Sequence, residues 1–500
     1  MCRSGVGCGL SWVGDDAFLM IPSPTASCTL TQEGDQYVVQ FTRNATGSVV
    51  ALRVEGNGAP TELLRQRPST HALKTQDENA SVQLPACTDH TDVSTFPGTN
   101  GRCDQRVRTQ ADWLARRADI VTGFTAAAGT LPTSRRAPLD MQVMSTIVLP
   151  SGVRRMNLTY VAEHATIPAF LYVPAAATAE RPAPCVLASH PTSDEGKNYA
   201  SVRAPPLNYA EELAERGYVV IQPDYPGMGG LRSWDFAHSH WPSGTIAAVS
   251  NNMRAIDLLE SLNFTDTDRL AAIGHSLGGH NSLFTGVLDT RIKIVVSSCG
   301  WTPWQYYITA STPLNHTWAN AKYMPRIASM FGGDPQRIPF DFYELVAAIA
   351  PRPFFSNSPY TDFNFNVSGV WETVPKVRPV WELFGAGSDL HVEYPAGGCM
   401  SERGSHDCGH DFPAGTRFES CKCAFAPCLQ VLAVLTERIA LRRRFHRPAP
   451  QGQRCRQSTQ DRRRIGTTTH VDSHQVRHLD AILTAAGDNA FRSRAGLRRR

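Results

Sequence analysis

The stretch Leu270-Ala-Ala-Ile-Gly-His-Ser-Leu-Gly-Gly-His280 constrains this chain more than any other. A short apolar run leads into Gly274-x-Ser276-x-Gly278, and Asn281 to Val287 continues without a helix breaker, so the pattern reads strand, tight turn, helix. Such a turn forces Ser276 into a strained backbone conformation and leaves no room for a side chain two residues to either side. The strain lifts the serine hydroxyl off the sheet edge and leaves the N–H of Leu277 free to bind an oxyanion. A bare Gly-x-Ser-x-Gly arises by chance in roughly one chain in five of this length, so the flanking strand and helix carry the weight. The competing reading is a glycine-rich loop with an exposed serine.

A serine hydroxyl needs a base within hydrogen-bond reach, and the base needs an acid to orient it. Behind an elbow of this type the chain order is serine, acid, histidine. His410, in Asp407-Cys-Gly-His-Asp-Phe-Pro413, is the main candidate base. It follows the last strand signal and precedes a closing helix expected over Phe418 to Leu435. His406 and His391 are alternatives, and His280 is too near the elbow. For the acid, Asp362 follows the strand expected over Arg352 to Ser356. Asp389 is the alternative, after a strand expected over Pro379 to Phe384; an Asp at a strand end is otherwise a turn former. The second oxyanion donor is expected in His190-Pro-Thr-Ser193, with Thr192 the candidate.

Around this centre the chain falls into three parts. Residues 1 to 105 carry short alternating runs, Gln36 to Thr42 and Ser48 to Val54, punctuated by Gly, Pro, Asn and Thr; they predict a small β-rich module. Gln76 to Asp104 reads as its linker, bracketed by Cys87 and Cys103, a pair that would bond on export. From 106 to 435, apolar strands alternate with helices. A helix spans Ala111 to Val121, an antiparallel pair Met156 to Val161 and Ala169 to Val173, and buried strands Pro184 to Ser189, Tyr218 to Gln222 and Ile292 to Ser297. Helices are expected at Tyr209 to Arg216 and Ile246 to Leu262. The class is α/β, a mostly parallel, doubly wound sheet covered on both faces. Residues about 300 to 345 interrupt the alternation with aromatics such as Trp301, Trp304, Trp318, Phe340 and Phe342; a second aromatic loop runs from Trp234 to Trp241. These rings either pack an insertion onto the sheet or cap an apolar cleft above Ser276. Residues 436 to 500 are Arg-rich and Lys-free and read as a solvated, low-order tail. A basic arm for anionic polymers and a shifted reading frame are the alternatives.

Composition narrows the function classes. The 500 residues are 42% hydrophobic and 19% charged, ordinary for a soluble globular protein, and a net charge of +4 is too small to imply a nucleic-acid partner. No apolar run is long enough to span a membrane. The 13 cysteines are odd in number and lack zinc-like pairs of pairs; Cys421, Cys423 and Cys428 cluster without a following His, so no metal is expected, and the chemistry needs no organic cofactor. Sequons at Asn44, Asn79, Asn157, Asn263, Asn315 and Asn366 lean towards a secretory route. Met1 to Cys28 is not a clean leader, because Asp15 and Asp16 break its apolar core.

The text Arg216-Gly-Tyr-Val-Val-Ile-Gln-Pro-Asp-Tyr-Pro-Gly-Met-Gly229, Asn252 to Leu259, Gly274 to His280, Ile349-Ala-Pro-Arg-Pro-Phe354 and Gly409 to Pro413 resembles the α/β-hydrolase superfamily, more closely its dienelactone-hydrolase-related and acetyl-xylan-esterase-like branch. The resemblance covers about residues 108 to 425 and implies a hydrolase of carboxylic esters with Ser276, Asp362 and His410 as triad. Dienelactone hydrolases carry Cys where this chain has Ser276, which argues against that activity. The expected function is a serine esterase acting on a small-molecule ester through an acyl-enzyme. A serine peptidase or acyltransferase on the same fold is one alternative, although peptidase relatives carry a propeller for which residues 1 to 105 are too short. A catalytically inactive binding protein is the other.

Overall fold

A computed structural model of the chain describes residues 82–132, 137–163, 165–199, 208–307, 314–362, 364–395 and most of 428–437, together with strands between residues 10 and 64. The chain packs as two units, Met1–Glu78 and Asn79–Arg500. In the first, β1 (Leu10–Trp12) pairs with β2 (Phe18–Met20), and β3 (Ser27–Gln32), β4 (Asp35–Arg43), β5 (Val49–Glu55) and β6 (Thr61–Leu64) form an antiparallel meander. The two alternating runs read from the sequence are β4 and β5.

The second unit opens with the hairpin β7 (Thr95–Pro97) and β8 (Cys103–Arg106), closed by the Cys87–Cys103 disulfide with Cα atoms 5.0 Å apart. The polar stretch read as a linker is therefore, from Asn79 onward, part of this unit. It is anchored by α1 (Gln110–Ala128), whose amino end carries a capping box of Thr109 and Asp112. The Asp119 carboxylate of α1 accepts the Ala86 and Cys87 N–H groups at 2.6 and 3.1 Å, and buried Arg116 donates to Asp119 at 2.9 Å and to Glu344 at 2.5 Å.

The chain then runs β9 (Gln142–Val148), β10 (Arg154–Ala162), β11 (Ala165–Val173), β12 (Ala183–Ser189), α2 (Tyr209–Glu215), β13 (Val219–Pro223), α3 (Gly244–Ser261), β14 (Thr265–His275), α4 (Leu277–Leu288) and β15 (Ile294–Ser298). The short helices α5 (Leu314–Thr317), α6 (Arg326–Ser329) and α7 (Phe342–Ala347) follow, then β16 (Phe354–Asn357), α8 (Val367–Leu383) and β17 (Leu390–Glu393). The nine strands β9 to β17 make one sheet in the order β17-β16-β15-β14-β12-β13-β11-β10-β9. The six from β17 to β13 are mutually parallel; β11, β10 and β9 continue antiparallel. Alternate residues of the central strands feed two cores. Cys185, Leu187, Leu270 and Ala272 face one cluster, and Val186, Ala188, Ala271 and Ile273 face the other. Both faces are thus buried, which is why these strands read as unbroken apolar runs.

The strand expected over Pro379 to Phe384 is instead the last turn of α8. Its buried residues Val367, Val370, Thr373, Val377, Val380 and Trp381 recur at three and four, a helical period that Pro375 and Pro379 disguise. The last strand among the described residues is β17, which moves two candidates. Asp389 ends a short turn immediately before β17, at the amino end of the strand rather than past a carboxyl end. His391 lies inside β17, stacked on Phe355 at 5.4 Å between ring centroids.

Candidate active site

Parallel strands present their carboxyl ends along one edge of the sheet, and the loops there hold the candidate residues. Ser276 is the junction of β14 and α4, with φ 53° and ψ −119°, a conformation L-residues rarely adopt. It is half-buried amid neighbours that are fully buried. Its N–H donates to Ser298 O at 2.9 Å, and its carbonyl accepts from Gly279 at 2.8 Å and His280 at 3.2 Å, which fixes the bend from both sides. The flanking glycines are required sterically. A Cβ on Gly274 would fall 2.3 Å from the Gly278 backbone, and one on Gly278 would fall 2.0 Å from Ser189 O. The elbow thus sits directly against the end of β12. Leu277, the other sequence candidate here, is the first residue of α4, where N–H groups have no partner within the helix.

The loop after β12 carries Thr192, whose hydroxyl lies 3.3 Å from the Tyr323 hydroxyl. The loop is braced underneath. The His190 ring is buried; Nε2 accepts the Tyr225 N–H at 3.0 Å, so Nδ1 carries the proton and donates to Pro191 O at 2.7 Å. Burial holds its pKa below the ordinary value, keeping the ring neutral. Sequence reasoning missed a second brace. Buried Lys197 donates to Asp224 Oδ2 at 2.7 Å, while Asp224 also accepts the N–H groups of Lys197 at 2.7 Å and Gly230 at 2.9 Å. This ties the loops after β12 and β13 together. Asp224 stands in the quoted Gln-Pro-Asp-Tyr-Pro-Gly text and was in that sense visible; Lys197 gave no signal. A cavity of about 10 Å³ behind His190, lined by Ser189, Asn252 and Asn281 among others, has room for one water and no substrate.

Asp362 follows β16, two strands from β14, and is buried. It accepts the N–H groups of Asn364 and Phe365, both at 2.9 Å. Burial pushes its pKa up to about 6 against those two hydrogen bonds. His410 and the alternative His406 lie outside the described residues, as does most of the expected closing helix. Cys299, the first residue past β15, is disulfide-bonded.

The aromatics between 300 and 345 mostly pack. Trp301, Trp304, Trp318, Phe340 and Phe342 are buried. Trp304 meets Trp318 and Phe342 at 5.1 Å, Phe340 meets Phe124 of α1 at 5.3 Å, and Phe342 meets Phe284 of α4 at 6.0 Å. Tyr323 is the exception that reaches the elbow side, through Thr192. No group of His, Cys, Asp and Glu among the described residues could hold a metal ion, and no described helix is long and apolar enough to cross a membrane.

Residues 208–329 match the prolyl oligopeptidase family. The chain is 25% identical over 282 residues to the putative hydrolase YtaP of Bacillus subtilis, covering 54% of this chain and 89% of that one. It is 24% identical over 323 residues to a 4-O-methyl-glucuronoyl methylesterase of Phanerochaete carnosa, covering 58% and 74%. A solved glucuronoyl esterase from Solibacter usitatus superposes with TM-score 0.49 at 20% identity, covering 64% of this chain and 95% of that one. The strand order, the strained serine between strand and helix, and the glycines that seat it on β12 are those of an α/β-hydrolase fold.

Proposed function

We propose that the protein is a serine hydrolase of carboxylic esters. The observation that carries this reading is Ser276, half-exposed at a positive φ at the start of α4. Ser276 Oγ attacks the ester carbonyl, and His410 takes its proton and passes it to the departing alcohol. Asp362 holds the imidazole. The oxyanion rests on the N–H groups of Leu277 and Thr192. Water, deprotonated by the same His, then releases the acid from the acyl-enzyme. The names of relatives support an ester as substrate. The disulfide Cys87–Cys103 and the sequons support a secreted protein.

The test is labelling by a fluorophosphonate together with hydrolysis of p-nitrophenyl acetate. The wild type labels and turns over; Ser276→Ala does neither. A folded wild type that failed to label would sink the reading in favour of a binding protein. The match to the prolyl oligopeptidase family favours a second reading, a peptidase; faster turnover of an aminoacyl-prolyl amide than of simple esters would establish it.

A further inference from the structure

Four of the described residues other than glycine hold a positive φ. Asp140, at 39°, is exposed just before β9, and Glu163, at 48°, turns the hairpin between β10 and β11. The other two, Ser276 at 53° and Cys299 at 48°, stand side by side. Each is the first residue past a central parallel strand, and the last residues of those strands, His275 and Ser298, are register partners. The elbow accounts for Ser276. Cys299 needs its own account, because Asn, Asp and His are the side chains enriched in this conformation and glycine takes it freely. Cys299 is buried and disulfide-bonded.

A strained residue persists only where its surroundings over-determine it. Here they do. The Ser298 carbonyl and the Cys299 N–H belong to one peptide plane. The carbonyl accepts the Ser276 N–H at 2.9 Å, and the Cys299 N–H donates to Asn357 O at 2.9 Å. That single plane bridges the nucleophile to the last residue of β16, the strand that leads into the Asp362 loop. The Asn357 side chain adds a bond to Ser298 Oγ at 3.1 Å. On the far side of Cys299 the chain is jammed. A Cβ on Gly300 would fall 2.6 Å from Ser297 Oγ and 2.7 Å from Gly279 Cα, in the first turn of α4. Gly300 therefore cannot shift towards α4, and if Cys299 relaxed to a negative φ the rotation would fall on the plane that holds Ser276.

We propose that Cys299 is a positioning residue for the nucleophile: its disulfide sustains a left-handed bend, and the bend aims the Ser298 carbonyl at the Ser276 N–H. This rests on the serine-hydrolase reading. The test compares Cys299→Ala with Cys299→Gly in the full chain. Both lose the disulfide. Alanine keeps the strain without the tie that sustains it, whereas glycine adopts the bend freely. Cys299→Ala loses about tenfold in kcat on p-nitrophenyl acetate with KM within about twofold, and Cys299→Gly recovers most of the loss. A disulfide that only stabilised the fold would give the opposite order, since glycine leaves the unfolded chain more freedom than alanine. Gly300→Ala presses the same turn off α4 and matches Cys299→Ala in kcat, which keeps the comparison if Cys299→Ala folds poorly. Amide hydrogen exchange of residues 270–280 reads the hold without catalysis: faster in Cys299→Ala and Gly300→Ala, and as slow in Cys299→Gly as in the wild type. Equal kcat and equal exchange in the alanine and glycine variants at 299 overturn the proposal, as does a loss carried by KM alone. A wild type that fails to label with the fluorophosphonate while the exchange pattern appears removes the hydrolase reading and leaves the hold on Ser276 standing.

Discussion

Replacing Gly278 by Ala adds one methyl group, and the structure specifies what it meets. The new Cβ would lie 2.0 Å from Ser189 O, 2.7 Å from Ser189 C and 2.9 Å from His190 O, whereas ordinary contact begins near 3.4 Å. All three atoms are backbone, at the end of a strand bonded on both sides, so no side chain can swing away. The start of α4 must move by more than 1 Å from β12. Overpacking of this kind costs about 1–3 kcal/mol of stability. The catalytic cost is larger, because the same shift carries the Leu277 N–H and the Ser276 hydroxyl with it, and a misplacement of about 1 Å costs about 10²-fold in rate. The assay is kcat/KM on p-nitrophenyl acetate, with urea denaturation on the same samples. Gly385→Ala is the control: φ is +66° and nothing lies within 4 Å of its added Cβ. It should cost about 1–2 kcal/mol through conformation alone and leave kcat/KM within about twofold. A Gly278→Ala enzyme as active as the Gly385→Ala one would refute the claim that the elbow is seated on β12 by the absence of a side chain.

Lys197→Met leaves the Asp224 charge buried without its cation, and urea denaturation should show a loss of about 3–5 kcal/mol; Lys197→Met with Asp224→Asn should recover part of it. Asp341 is buried, and burial, abetted by nearby Glu344, pushes its pKa up to about 7 against hydrogen bonds from the Phe342 and Trp304 N–H groups. Its folded pKa exceeds its unfolded one, so the native state keeps a proton the unfolded chain has lost, and stability falls as pH rises from about 4 to 7. His90, raised above its usual value although its burial opposes this, through its contact with Glu344, acts in the same direction. Thermal melts of Asp341→Asn across that window should show a flatter decline, and an unchanged slope would assign it elsewhere.

How much was legible depended on whether a signal was local. The elbow was, because its glycines and its strand lie within ten residues and each answers a steric demand. The buried strands β12, β13, β14 and β15 were, because burial on both faces leaves no polar interruption. β9 was not: all seven residues are exposed, so no inward face writes an alternation. The end of α8 was misread because two prolines punctuate it like a strand boundary, and the error carried Asp389 and His391 to wrong positions relative to the sheet. Lys197 was invisible for another reason. Its role exists only through Asp224, 27 residues later, and a lone lysine beside a glycine has no period or motif. The same holds for Arg116, whose second partner is 228 residues away.

The hold of Asp119 on the Ala86 and Cys87 amides decides where the hydrolase part of the gene can be cut. A recombinant version starting at residue 106, where the composition changes, would discard the two amide groups that Asp119 accepts and both cysteines of the Cys87–Cys103 bond. The carboxylate would keep Arg116 and lose the segment that covers it. Starting at residue 79 keeps the whole clasp, and the yield of folded material from the two truncations should differ accordingly.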